Sequence, residues 1–209
     1  MKDIAGILKK ARELFDVAGV TGEAGGGALL VLGLESRPGR DLDDFRHIGG
    51  GFQMSGFEKH VAPRLDELMD FIRAAGYSAE PAGRIGYPLK GEIKLKNEAI
   101  RLGLGKRGKS TVVLHPEYGP RLRFMGVKTD APFDVPETDR PPVEIENETC
   151  KDCSLCIDNC PVNALEPYRM PDIGICLSNV SPVDPEGRSI LCDICLKLCP
   201  AGKPVYTGQ

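Results

Sequence analysis

The chain has 209 residues, a formal net charge of −3 and no tryptophan. A charge so close to zero gives no electrostatic footprint for a polyanion, so nucleic acid is not expected as a partner. The longest clearly apolar run, Ala28 to Leu34, is far shorter than the roughly 20 residues that a membrane-spanning helix needs. All eight cysteines lie after residue 149, which predicts two domains, residues 1–143 and 144–209.

The N-terminal third begins with a helical pattern. Apolar residues recur at helical spacing from Ile4 to Ala18, and Gly19 is expected just past the helix end. The glycine-rich stretch Gly22 to Gly27 predicts a turn, and Ala28 to Leu34 predicts a buried strand. The polar, glycine-rich stretch Glu35 to Met54 is expected to be a long loop.

A second helix is expected after this loop. A capping box of Ser55 and Glu58 predicts its start, and Gly76 its end. Pro63 either begins the regular part of this helix or kinks it. The remaining predicted elements are a weaker helix over about Gly91 to Leu102, strands over Thr111 to His115 and Arg121 to Lys128, and a proline-rich linker over Asp130 to Thr149.

The stretch Gly103 to Ser110 matches G-x4-G-K-S, the pattern of the nucleotide-binding P-loop. A true P-loop follows a strand and opens a helix, so that the helix N-terminus faces the phosphates. Here the predicted order is reversed, with a helix before and a strand after, so ATP binding is not expected. The glycines still mark a backbone that a ligand can approach, and Lys106, Arg107 and Lys109 favour an anionic group.

The cysteine pattern is the strongest signal in the sequence. The first run has the spacing C-x2-C-x2-C-x3-C-P, the second has C-x2-C-x3-C-P, and one isolated cysteine lies between them. This spacing lets one tight loop point three thiolates at one face of an iron-sulfur cubane. Eight thiolates at four per cluster predict two 4Fe4S clusters, with none left over.

The division of the ligands follows from the proline after each run. In two-cluster ferredoxins, the cysteine that precedes this proline serves the other cluster. The predicted first site is Cys150, Cys153, Cys156 and Cys199, and the predicted second site is Cys160, Cys176, Cys192 and Cys195.

Two other uses of the cysteines compete with this prediction. A four-cysteine zinc site would leave four thiols unexplained. A disulfide framework would need an oxidising compartment, whereas Met1 to Lys10 lack the apolar core of a secretory signal. We therefore expect an oxygen-sensitive iron-sulfur protein with a cytoplasmic location.

Other residues carry a resemblance to a known family. Asn97 to Gly105, Gly108-Lys109 and Pro116 to Gly119 resemble the epoxyqueuosine reductases and their relatives, the corrinoid-dependent reductive dehalogenases. The cysteine module resembles the same family, including the isolated Cys176, and the resemblance covers about Phe57 to Pro200. It implies an α+β protein in which a nitroreductase-like, corrinoid-binding α/β domain is followed by a bacterial-type two-cluster ferredoxin module.

The resemblance also implies cofactors and partners. In this family, electrons pass through both clusters to the cobalt of a vitamin B12-type cofactor, which carries out the reduction. We therefore expect a cobalamin, an electron donor protein of the ferredoxin or flavodoxin type, and a small molecule or the corrinoid itself as substrate. The residues implied to cradle the corrinoid are Gly103, Gly105, Gly108, Lys109, Ser110, Glu117, Tyr118 and Gly119.

Two departures from the family pattern indicate a reaction other than epoxyqueuosine reduction. The position of the family's catalytic aspartate falls on Leu89, which cannot donate a proton. Tyr87 is the candidate donor instead, as a tyrosine is in the dehalogenases, although a tyrosine in a Gly-Tyr-Pro turn is more often structural. The sequence ends at Gln209, before the helical-repeat region of such enzymes, so no tRNA-docking surface is expected.

Two alternative functions remain open. A missing catalytic acid is what a lost active site would show, and this favours a non-catalytic electron carrier whose N-terminal domain binds a protein partner. That domain could instead bind a flavin. The D-x-H-x-x-G motif of a protein-ligated corrinoid is absent, because the acid near His47 lies one residue too far away, so no side chain is expected to coordinate cobalt.

Overall fold

Two structural units alternate along the chain. The computed structural model describes residues 4–23, 26–48, 51–87, 93–135 and 146–203. The first unit comprises Met1–Glu35, Glu58–Leu104 and Arg123–Val143, and the second comprises Ser36–Phe57, Gly105–Leu122 and Glu144–Gln209.

Short helices and strands of mixed α/β character make up both units. The helices are α1 (Ile4–Leu14), α2 (Ser55–His60), α3 (Ala62–Ala74), α4 (Leu95–Arg101), α5 (Leu155–Asp158), α6 (Ile173–Leu177) and α7 (Ile194–Lys197). The strands are β1 (Val17–Gly22), β2 (Ala28–Glu35), β3 (Asp44–Ile48), β4 (Gly51–Gln53), β5 (Ala79–Pro81), β6 (Lys106–Arg107), β7 (Val113–Leu114), β8 (Leu122–Thr129), β9 (Val180–Pro182) and β10 (Arg188–Leu191). None of the described helices is both long enough and apolar enough to span a membrane.

The first unit is built around β2, whose eight residues are all buried. This confirms the strand predicted from the apolar run. The strand lies inside a sheet of order β1-β2-β8-β5, and α1 packs on α3 and β1. Because β2 has a neighbour on each edge and no exposed face, its sequence is apolar throughout rather than alternating. Its largest fully buried side chains are Leu30, Val31, Leu32 and Leu34.

The first helix is shorter than its apolar spacing predicts. It ends at Leu14, and Ala18 and Gly19 lie in β1, which pairs antiparallel with β2. The carboxylate of Asp16 accepts a 2.7 Å hydrogen bond from the backbone N–H of Glu35, the last residue of β2. Strand pairing therefore overrides the helical pattern after residue 14, and the predicted helix end at Gly19 was wrong.

The long loop predicted over residues 35–54 was also wrong. This stretch contains the hairpin β3-β4, and β3 pairs antiparallel with β10 in a sheet of order β4-β3-β10-β9. Its strands are polar and short, so no local pattern distinguishes them from a loop. Their pairing depends on a strand that begins at Arg188, far along the chain.

The second predicted helix is divided at Val61 into α2 and α3. Pro63 lies in the first turn of α3, which confirms that it begins a helix. Gly76 has a left-handed φ of +85° after the helix end, as predicted. The capping box was wrong, because Ser55 lies inside α2 and its buried hydroxyl has no hydrogen-bond partner among the described residues.

The last predicted elements of the N-terminal region differ in detail. Helix α4 occupies the C-terminal part of the helix predicted from about Gly91. Strand β7 lies within the first predicted stretch, and β8 matches the second but extends to Thr129. The two strands belong to different sheets, since β7 pairs with β6.

The close packing between β1 and β2 gives a first prediction. A Cβ added at Gly33 would lie 2.5 Å from Cγ2 of Val17 and 3.1 Å from the ring of Phe124. We expect Gly33→Ala to lower the free energy of unfolding by about 1–3 kcal/mol, because the added methyl group overpacks the sheet. Denaturant unfolding followed by circular dichroism measures this change.

The matched control is Gly22→Ala in β1. Among the described residues, a Cβ there would meet only Cγ2 of Val135, at an ordinary contact distance of 3.5 Å. We expect this variant to change stability by less than about 0.5 kcal/mol. Equal effects of the two substitutions would show that the space around Gly33 is not limiting.

Candidate metal centre

Three short helices, of four or five residues, contain one cysteine each. Cys156 lies in α5, Cys176 in α6 and Cys195 in α7. The carboxylate of Asp172 caps α6 by accepting a 2.7 Å hydrogen bond from the N–H of Gly174. Each helix is too short to be stable alone, so the positions of these thiols depend on the surrounding loops.

The four thiols of the predicted first site lie close enough to affect one another. Burial raises the pKa of the Cys156 thiol, and the nearby thiols of Cys150, Cys199 and Cys153 raise it further. Burial also raises the pKa of Cys199, on which Cys150 and Cys153 act in the same direction. The structure therefore brings Cys199 from the second run to three cysteines of the first.

The thiols of the predicted second site are grouped in the same way. Burial raises the pKa of Cys195 to about 12, with further contributions from Cys176 and Cys192 and smaller ones from Cys156 and Cys160. Cys160 from the first run thus lies with three later cysteines. Cys156 belongs to the predicted first site, so its effect on the pKa of Cys195 shows that the two groups of thiols are neighbours.

Backbone amides point at two of the sulfurs. The N–H of Ala164 donates a 3.3 Å hydrogen bond to Sγ of Cys160. A backbone hydrogen bond from Ala201 lowers the pKa of Cys199 and so partly opposes the effect of burial. Amide donors of this kind stabilise thiolates, and they also stabilise the sulfurs of an iron-sulfur cluster.

Among the residues that the structure describes, no group of three or more His, Cys, Asp or Glu side chains is arranged to hold one metal ion. Tetrahedral zinc, with Zn–S bonds of about 2.3 Å, would need sulfurs about 3.8 Å apart. All eight cysteines are free thiols, so none is paired in a disulfide.

The glycine loop continues into a hairpin that belongs to the second unit. Helix α4 precedes it and strands β6 and β7 follow, so the expected reversal of the P-loop order is confirmed. A Cβ on Gly105 would lie 2.6 Å from Val113, and one on Gly108 would lie 2.9 Å from Leu114. Packing within the hairpin therefore already requires glycine at position 105, where the carbonyl oxygen of Leu114 would lie 2.7 Å from the added Cβ, and it leaves little room at position 108.

The cations of this hairpin contact the segment that leads into the first cysteine run. Nζ of Lys106 lies 3.2 Å from Oε1 of Glu148, and Nζ of Lys109 donates to the carbonyl of Lys151 at 3.3 Å. The carbonyl of Arg107 accepts a 3.0 Å hydrogen bond from the N–H of Asn147. Ser110 is buried, at 5% exposure. The predicted corrinoid-binding residues of this hairpin thus lie beside the thiols of the first site.

The turn from His115 to Gly119 is held by an internal network. Nδ1 of His115 accepts hydrogen bonds from the N–H groups of Glu117 and Tyr118, at 3.0 and 3.2 Å. The rings of His115 and Tyr118 have centroids 4.9 Å apart. Oε1 of Glu117 lies 3.3 Å from Nζ of Lys203, so the turn reaches the segment after Cys199.

Two predicted site residues belong to the first unit. Gly103 follows α4 and has a left-handed φ of +72°. Apart from its own neighbours in the chain, no described atom lies within 4 Å of a Cβ built on Gly103. Tyr87 is half-buried, and its N–H donates to the carbonyl of Arg84 in a tight turn. Leu89, the position of the family's catalytic aspartate, lies outside the described residues.

A groove of about 580 Å³ along α1, lined by residues that include Leu8 and Phe133, contains none of the predicted site residues.

Tyr168 is a neighbour of the first site that sequence reasoning missed. Its hydroxyl hydrogen-bonds the carboxylate of Glu146, and its backbone N–H donates to the carbonyl of Lys109 at 3.0 Å. Burial raises its pKa, with contributions from Glu146 and then from Cys150 and Cys156. No spacing signal in the sequence marks this tyrosine.

Comparisons with known proteins point to one group of reductases. No model of a known protein family matches the chain. Epoxyqueuosine reductase of Listeria monocytogenes is 32% identical over 120 residues, which cover 53% of this chain and 30% of that protein. A tetrachloroethene reductive dehalogenase of Desulfitobacterium hafniense is 30% identical over 106 residues, which cover 49% of this chain and 17% of that protein. The matches therefore take in less than a third of either relative.

A solved structure shares the fold over most of the chain. Epoxyqueuosine reductase from Bacillus subtilis superposes with a TM-score of 0.62 at 18% identity, covering 98% of this chain and 67% of that one. At this identity the likeness shows the mixed α/β fold alone.

The network around His115 predicts a pH dependence. Burial lowers the pKa of His115 from 6.5, with a smaller opposing effect of Glu117, so the folded state favours the neutral ring that accepts two hydrogen bonds. As the pH falls through 6.5, the unfolded chain takes up a proton before the folded one does, and this histidine's contribution to stability is lost. We expect acidification from about pH 7.5 to 5.5 to destabilise the parent more than His115→Asn. Thermal unfolding under anaerobic conditions measures the difference, and equal losses in the two proteins would contradict it.

Proposed function

We propose, from the premise that this chain is a relative of the epoxyqueuosine reductases and the reductive dehalogenases, that it is an iron-sulfur redox protein that delivers electrons to a corrinoid for a reductive reaction. The observation that carries this proposal is the mutual proximity of thiols from the two cysteine runs. Bound 4Fe4S clusters would supply one-electron transfer, and a corrinoid would supply the reductive chemistry. The relatives are much longer than the matched segments, so the substrate class is part of the proposal.

The residues of the ferredoxin module have separable roles in this proposal. Cys150, Cys153, Cys156 and Cys199 hold one cluster, and Cys160, Cys176, Cys192 and Cys195 hold the other. The amides of Ala164 and Ala201 donate to ligand sulfurs and so favour the reduced, more negative state of a cluster. Leu114, which is 1% exposed beside Cys150, keeps water from the first site.

For the corrinoid, Gly103 is the predicted contact that best fits a close approach of a ligand. Its left-handed backbone and the open space beside it let a flat ligand reach the main chain. We assign this contact to a nitroreductase-like domain formed by residues 1–143. Tyr87 remains the proposed proton donor, and an electron donor of the ferredoxin or flavodoxin type completes the pathway. The reaction is proposed to differ from epoxyqueuosine reduction, because leucine occupies position 89.

A non-catalytic electron carrier is the second candidate, with a first domain that binds a protein or a flavin. The packing of Val113 and Leu114 favours it, since this packing accounts for Gly105 and Gly108 without any ligand. In that case Leu89 marks a lost active site.

Cobalamin titration after reconstitution separates the two candidates. The protein is reconstituted with iron and sulfide under anaerobic conditions, and cobalamin is added while the visible spectrum is recorded. A shift that saturates near one equivalent supports the corrinoid protein. No shift in a protein that contains both reducible clusters supports the carrier, and a bound flavin would be seen directly by its absorbance. A reconstituted chain without iron-sulfur clusters contradicts both.

Single serine substitutions test the ligand division. We expect about eight irons per chain in the parent and about four in each of Cys150→Ser, Cys199→Ser, Cys160→Ser and Cys176→Ser, since each removes one cluster. The electron paramagnetic resonance spectrum of the remaining reduced cluster should be the same in the first two variants and should differ from the spectrum shared by the last two. A shared spectrum for Cys150→Ser and Cys160→Ser would show instead that each run holds its own cluster.

A further inference from the structure

Two glycines that are distant in sequence meet backbone to backbone in the second unit. Gly119 and Gly202 both have left-handed φ values, +56° and +87°. A Cβ on Gly119 would lie 2.1 Å from the carbonyl oxygen of Ala201, and one on Gly202 would lie 2.3 Å from the backbone nitrogen of Gly119. Because the opposing atoms are main-chain atoms, no side-chain rotation can make room at either position.

The turn that contains Gly119 is rigid before it meets this segment. The backbone groups of His115 and Gly119 exchange two hydrogen bonds, of 2.8 and 2.9 Å. The imidazole of His115 accepts two more from inside the turn. From this frame, the carbonyl of Glu117 accepts a 2.7 Å hydrogen bond from the N–H of Lys203. Residues 201–203 are therefore held from one side by an element that is fixed independently.

The held segment leads directly to a thiol. Ala201 is buried in one apolar cluster with Leu114 and Cys150, and Cys199 packs against this cluster. The backbone of Ala201 hydrogen-bonds the Cys199 thiol. Cys199 itself follows α7, and its N–H donates a 3.3 Å hydrogen bond to the carbonyl of Leu196. A displacement of Ala201 would therefore be transmitted to Cys199.

We infer that the turn from His115 to Gly119 is a positioning element for the first cluster, because its contact with Gly202 seats Cys199 beside the other three ligands. This inference rests on the proposed function, since it assumes that these thiols hold a cluster. Cys199 is the one ligand of that site that comes from the second run. The role is distinct from the corrinoid contact that the sequence predicts for Glu117, Tyr118 and Gly119.

The test compares alanine substitutions at left-handed glycines. Gly119→Ala and Gly202→Ala add a methyl group where the opposing backbone leaves no room. Gly39→Ala is the matched control, because Gly39 lies in the same unit and has a φ of +79°. Apart from its own neighbours in the chain, no described atom lies within 4 Å of the added Cβ. The control thus reproduces the backbone strain without the contact.

After anaerobic reconstitution, we expect about eight irons per chain in the parent and in Gly39→Ala, and about four in Gly119→Ala and in Gly202→Ala. The remaining reduced cluster in both variants should give the paramagnetic resonance spectrum of Cys199→Ser. The double variant should retain as much iron as either single variant, because one contact is lost in all three.

Three outcomes would overturn the inference. Full iron content in Gly119→Ala would show that the turn does not position Cys199. Loss of both clusters from Gly119→Ala would show a general structural role, since the second site does not include Cys199. The same loss in Gly39→Ala would show that backbone strain alone is responsible. The failure of the proposed function looks different, because the parent would then contain no clusters.

Discussion

The crowding of cysteine thiols, which carry like charges when they ionise, is the constraint on which the second unit depends. Eight thiols are gathered into two neighbouring groups, and their mutual influence adds to burial in raising the pKa of Cys156, Cys195 and Cys199. Each thiol that ionises makes ionisation of the next one harder. Cationic iron would reverse this effect, so that the grouping that is unfavourable for thiolates alone becomes a binding site.

The scaffold that holds these thiols comes from outside the cysteine segment as well. The hairpin of β6 and β7 provides Leu114, which packs on Cys150. Strand β3 pairs with β10, which lies between Cys176 and Cys192. A module of this size has little apolar core of its own, and its exposed apolar residues include Ile173, Ile175 and Leu177 around Cys176. Contacts with residues 36–57 and 105–122 of the same unit supply part of the missing support.

Local signals in the sequence predicted local structure well. The buried strand β2, the helix that has Pro63 in its first turn and the helix end before Gly76 each depend on a few neighbouring residues, and all three are confirmed. The same signals failed where strand pairing decides the local structure, with the next strand in the case of β1 and with the distant β10 in the case of β3. The division of the ligands follows from the Cys-Pro pattern of two-cluster ferredoxins and remains a prediction. The contact of Gly119 with Gly202 and the position of Tyr168 have no local signal, because each joins residues from separate segments.

The alternation of the two units along the chain has a consequence for its synthesis on the ribosome. Strands β3 and β4 emerge early, whereas β10, the strand that covers one edge of β3, follows only after residue 187. For most of translation, that edge presents unpaired backbone groups, which are a hazard for association with other chains. Nascent molecules would be protected by low protein concentration or by a chaperone. Expression conditions that delay aggregation should therefore raise the yield of folded protein.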